Sequence, residues 1–252
     1  MTSKTITPTK TERDFEPFPE HPPRDDMQNW IHLNRDGKGA ALVTRIGDRE
    51  TTTTGSEVPI GPTLANRRDH RIPDFMVSKN SKPWLIEEDG GYAIDRQGKP
   101  PEFVLEIASR WTGVIDYTEK REDYARYGIP EYWRFDSTQG EYHDVALAGD
   151  RLGDDGQYEP IEIERLGESR FRGYSEALEM YVCWEYGELR FYDPASGSYM
   201  RTQIEDIAER RAEYLRAERE VAARREAEAR AAEAEAEIRR LRERLAKLDD
   251  SE

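Results

Sequence analysis

Residues Pro101–Asp136 read PEFVLEIASRWTGVIDYTEKREDYARYGIPEYWRFD, and the order of patterns within them decides the fold. Val104, Leu105, Ile107 and Ala108 form a short apolar run suited to a buried strand. DYTEKREDYARYGIP then carries a helix signature. Asp116 and Glu119 fit a capping box, Gly128 fits the left-handed position after the last turn, and Pro130 prevents continuation. EYWRFD follows at once with Tyr132, Trp133 and Phe135 as strand residues. Strand, helix and strand within about 35 residues match a right-handed crossover, which makes the two strands parallel neighbours.

Working outward, NRRDHRIPDFMVS places Ile72, Phe75 and Val77 around Asp74 and reads as a further strand. Between it and PEFVLEIAS, SKNSKPWLIEEDGGYAIDRQGKPP has the glycine, proline and lysine punctuation of an exposed excursion outside the core. ALVTRI and the run Thr51–Thr54 suit strands, and Asp25–Arg35 reads as a short helix ended by Gly37 and Gly39. Downstream, HDVALAG, QYEPIEIERL, ELRFYD and SYMRT suggest hairpins extending the sheet, with a short helix in SEALEMYVCWEYG. Residues 1–23 read as a disordered or draped arm and 24–202 as one α/β domain.

From 203 to 252 proline and glycine vanish and Ala, Glu and Arg dominate, as in a charged helix. Ile238, Leu241, Leu245 and Leu248 fall at a and d spacing, with Ala227, Ala231 and Ala234 on the same seam. Arg224 and Glu220 also land on it, while Tyr214 and Val221 lie off its phase, so the zipper is confined to the end. A coiled coil and a homodimer through this helix are the expectation.

Glu106 interrupts an apolar strand, where a carboxylate must be paired, protonated or bound to a cation. Taken alone it also suits an edge strand or an arginine partner. Asp74 stands in a similar setting, and on one face of neighbouring strands the two could share a divalent cation through hard oxygen ligands. Lys120 lies one turn into the capped helix, with Tyr124 and Tyr127 at i+4 and i+7 on its face. As a plain reading it is a surface lysine; turned inward, it would partly neutralise the carboxylates and stabilise phosphoryl charge.

PDFMV, PEFVLEIAS, the DYTEK helix running into KREDYARYGIPEYWRFD, and the later LAGDRL and GYSEAL resemble the Uma-two family of putative restriction endonucleases in the PD-(D/E)xK nuclease-like superfamily. The resemblance spans Ile72–Phe171, more weakly to Tyr192. It implies a restriction-endonuclease-like mixed sheet flanked by helices, with Asp74 and Glu106 as metal ligands for Mg²⁺ or Mn²⁺, and DNA as substrate. Ala108 stands where the superfamily has its lysine; the resemblance moves that role to Lys120. Glu102 and Glu131 are acidic in comparable motifs; Glu102 shares the strand parity of a further ligand but beside Pro101 reads as a strand-end surface residue, and Glu131 reads as a cap or packing residue.

The formal charge of −15 excludes a protein that coats nucleic acid through a basic surface. The tail contributes only −3 of it, from 12 basic and 15 acidic residues. No apolar run approaches the ~20 residues of a membrane span, the start lacks an export-type apolar region, and the single Cys183 reads as a small buried hydrophobe. These suit a cytoplasmic protein. His21, His32, His70 and His143 lack zinc-like spacing and read as ordinary surface or loop residues. The activity expected is metal-dependent hydrolysis of DNA by Asp74, Glu106 and Lys120. The alternative is a nuclease-like scaffold that self-associates through its last helix.

Overall fold

The crossover in 101–136 forms a parallel strand pair. In a computed structural model, which describes residues 30–66 and 68–249, β5 (Phe103–Ile107) and β6 (Glu131–Phe135) run parallel, with Phe103 opposite Glu131 and Ile107 opposite Phe135. Phe103 to Ile107 are buried throughout, as expected of a central strand covered on both faces. β3 (Phe75–Ser78) adds antiparallel to β5, and β1 (Thr53–Gly55) antiparallel to β3. On the other flank β7 (Leu147–Leu152) and β8 (Tyr158–Pro160) complete the order β1-β3-β5-β6-β7-β8.

The strand period of two sorts this mixed sheet into two faces. Phe75, Val77, Leu105, Ile107, Trp133 and Phe135 point to one face and pack with Leu33, Leu42, Val182 and Phe191. The opposite face carries Met76, Val104 and Tyr132 under Tyr124, Tyr127 and Ile129. A second, antiparallel sheet covers the first face: β9 (Ile163–Gly167), β10 (Arg170–Ser175), β11 (Met180–Glu185), β12 (Glu188–Asp193) and β13 (Ser198–Tyr199). The post-136 strands therefore do not all extend one sheet; only β7 and β8 do.

Other local expectations are corrected. ALVTRI lies in α1 (Lys38–Ile46), since Leu42 and Ile46 at i+4 both reach the core. Gly37, with φ of 72°, precedes α1 instead of ending a helix; Trp30–Asn34 forms a π-helical turn, and residues 25–29 lie outside the described residues. The excursion after β3 holds α2 (Pro83–Asp89), the two-residue β4 (Tyr92–Ala93) parallel to β2 (Ile60–Gly61), and Ile94–Gln97 as a helical turn. It also belongs to the core: Tyr92 is buried and its hydroxyl lies 2.8 Å from Ser78 Oγ. SEALEMYVCWEYG forms a turn and then β11, because Met180, Val182 and Trp184 alternate inward at period two.

The chain divides into two compact units, Met1–Thr202 and Gln203–Glu252. The second is one helix, Gln203–Asp249, 47 residues long, rich in helix-favouring Ala, Glu and Arg. The expected arm at 1–23 lies outside the described residues, as do the side chains of Leu245 and Leu248. Among the described residues no helix is long and apolar enough to cross a membrane.

Candidate active site

Pro73 leads the chain into β3, and continuing its register one step past Phe75–Leu105 brings Asp74 opposite Glu106. Asp74 Oδ2 accepts a 2.6 Å hydrogen bond from the backbone N–H of Ile107. Glu106 sits fully buried on the Val104–Tyr132 face of the sheet. Its Oε1 accepts from Tyr124 Oη at 2.6 Å, and its Oε2 lies 2.8 Å from Lys120 Nζ.

Two short helices deliver the lysine: Gly113–Tyr117, here α3, and Glu119–Arg126, here α4. They meet at Thr118, whose ψ of −95° breaks the single helix expected from the sequence. Lys120 and Tyr124 are both buried in α4. Gly128 follows it with φ of 75°, as a left-handed stop requires. Asp116 is not the cap of a box. It lies inside α3 with its side chain turned into the protein, where Oδ1 is 2.7 Å from Lys120 Nζ at i+4. The pull of that buried ammonium outweighs any capping role.

Lys120 is thus clamped between Glu106 and Asp116, and Asp116 is itself braced. Its Oδ2 accepts from Thr112 Oγ1 at 3.1 Å and lies 3.0 Å from His143 Nε2, while its carbonyl accepts from Tyr132 Oη at 2.6 Å. His143 is therefore a buried partner, contrary to its reading as an ordinary loop residue. Asp136 builds the loop that presents it: its Oδ2 accepts from Tyr142 N and His143 N, each at 2.8 Å. Only glycine fits at 113, since a Cβ there would stand 1.9 Å from Tyr142 O.

Burial sets the electrostatics. It pushes the Glu106 carboxyl up to about 8, against the pull of Lys120 and with the help of Asp116 and Asp74. Burial alone would lower Lys120, yet Glu106 and Asp116 outweigh it and hold the ammonium above its ordinary value. Asp116 is held below the usual carboxylate range, because Lys120 and His143 together exceed the burial that would raise it. The cluster remains short of positive charge, with Asp74, Glu106 and Asp116 against one lysine. Next to it, Asp150 receives Arg121 and Arg134, each at 3.0 Å.

Among the described residues no three His, Cys, Asp or Glu side chains group as a metal site. Mg²⁺ is ordinarily held by only one or two carboxylates plus water and substrate oxygens. Asp74 and Glu106, on adjacent strands, fit that donor set. Ala108 is buried two residues after Glu106. Glu102 lies apart, accepting from Lys79 N at 3.0 Å and paired with Lys99. Glu131 projects to the other face, where it accepts from Ser175 Oγ at 2.5 Å and Glu176 N at 2.8 Å.

The Uma2 family model, described as putative restriction endonuclease, matches residues 39–173, more than half of the sequence. The chain belongs to the Uma2 family. The Uma2 match takes in Asp74, Glu106, Asp116, Lys120, Tyr124 and His143, and ends before the long helix. A solved structure described as a putative nuclease belonging to DUF820 from Anabaena variabilis is 14% identical, over 51% of this chain and 67% of that one, with a TM-score of 0.33. No curated protein matches the chain.

Proposed function

We propose that this Uma2 protein is a metal-dependent endonuclease that hydrolyses DNA phosphodiester bonds. The observation that carries the reading is Lys120 Nζ, held 2.8 Å from Glu106 and 2.7 Å from Asp116 on the face that also bears Asp74. Asp74 and Glu106 are the residues that would hold Mg²⁺ or Mn²⁺, which supplies Lewis acidity and a bound water of lowered pKa. Tyr124 fixes one oxygen of Glu106, leaving its orientation little freedom. Lys120 orients the attacking water and offsets charge on the phosphoryl group in the transition state. Asp116 and His143 act through Lys120, setting where its ammonium points.

The test incubates purified protein with supercoiled and linear DNA plus Mg²⁺ or Mn²⁺, beside Asp74→Asn, Glu106→Gln and Lys120→Met variants checked for folding by circular dichroism. Wild-type cleavage that is lost in each variant and on chelation is expected. Cleavage surviving all three substitutions rejects the site. The net charge of −15 favours a second reading, a non-catalytic scaffold working through its long helix. A folded wild type that is inert with both cations but self-associates would select it.

A further inference from the structure

The long helix Gln203–Asp249 presents large apolar side chains to solvent: Ile238 and Leu241 are 49% and 50% exposed. In the sequence these two continue at a and d spacing through Leu245 and Leu248, a seam that a solvated helix has no use for. We infer that a second copy of this chain covers the seam, forming a parallel, in-register, two-stranded coiled coil over residues 227–248.

The charges flanking the seam select that occupant. With Ile238 at a and Leu241 at d, the g positions are Arg230 and Glu237, and the e positions are Glu235 and Arg242. In a parallel pair each g residue faces the e residue five places later on the other chain. Arg230 then meets Glu235, and Glu237 meets Arg242; the sequence repeats the rule with Arg244 and Asp249. Every such pair is of opposite sign. β-branched Ile at a with Leu at d also favours two parallel strands. In the single helix Arg230 is paired with Glu226, and Glu237 lies 4.0 Å from Arg240. Both are exposed contacts of small worth, readily exchanged for partners across an interface. On the nuclease reading, such a pair carries two catalytic clusters per assembly.

The experiment uses the full chain and needs no DNA, so it stands or falls apart from the nuclease reading. Sedimentation is expected to give a dimer, weakened about tenfold by Glu237→Arg and restored when Arg242→Glu is added. The only native thiol, Cys183, is buried, so Leu241→Cys reports orientation: mild oxidation is expected to give a disulfide dimer, absent from the wild type. A monomer at all concentrations overturns the inference. So does a dimer in which Leu241→Cys links only to Ile238→Cys on the other chain, the signature of antiparallel pairing.

Discussion

Replacing Asp116 with asparagine keeps the side chain's shape and removes one of the two carboxylates that hold Lys120. Lys120 Nζ lies 2.7 Å from Asp116 and 2.8 Å from Glu106, and all three groups are buried. Breaking a buried pair outright costs about 3–5 kcal/mol, but Glu106 stays in place, so a charge-assisted hydrogen bond of about 2–3 kcal/mol is the expected loss. In a unit of this size that lowers the melting temperature by about 5–10 °C. The folded Asp116 carboxyl is held below its ordinary 3.8, so its contribution is fully present above that value and is lost as pH falls through the depressed one. The gap between wild type and variant is therefore widest near neutrality and closes in strong acid. Thermal unfolding followed by circular dichroism across pH reads both features. Equal melting temperatures at pH 7, or a gap that widens in acid, would refute the reasoning. If the nuclease reading holds, kcat falls about 10–100-fold with KM little changed, as for a residue that orients another.

Burial, with Lys38 and Arg35 nearby, depresses His32 to about 4. Its contribution is thus present above the unfolded value of 6.5 and drains away as pH falls toward 4, by about 2 kcal/mol after allowance for solvent screening. His32→Gln should flatten that part of the stability–pH curve, and a curve unchanged in shape counts against it. At the seam between the sheets, a Cβ on Gly173 would stand 2.8 Å from the Trp133 ring and 2.6 Å from Ile163 Cδ1. Gly173→Ala should cost about 1–3 kcal/mol by denaturant unfolding, and an unaltered midpoint would show that the ring can move aside. Tyr124→Phe leaves Glu106 Oε1 without its 2.6 Å donor and should destabilise by about 1–3 kcal/mol in the same assay. A neutral outcome there means the hydroxyl does not brace the carboxylate.

Local chemistry was enough to reveal the crossover. An apolar run, a helix closed by Gly128 and Pro130, and an aromatic run in close succession leave one plausible topology, because short connections and handedness prune the rest. Strand periodicity allowed Asp74 and Glu106 to share one face, whereas Lys120 read from pattern alone as a surface residue and only the resemblance drew it to the site; packing sets its Nζ 2.8 Å from Glu106. ALVTRI was ambiguous, since a short apolar run suits helix or strand until its neighbours decide. Nor does anything local divide the strands after Asp136 between two sheets; that follows from which faces bury Trp133 and Val182 together. Asp116 and His143 were the deepest omission. They are 27 positions apart and lie 3.0 Å from each other only because Asp136 folds the intervening loop back onto the helix. Patterning along a chain records which side chains must leave water, whereas the partners that a buried charge finds depend on distant backbone brought near, and that is settled only by tertiary packing.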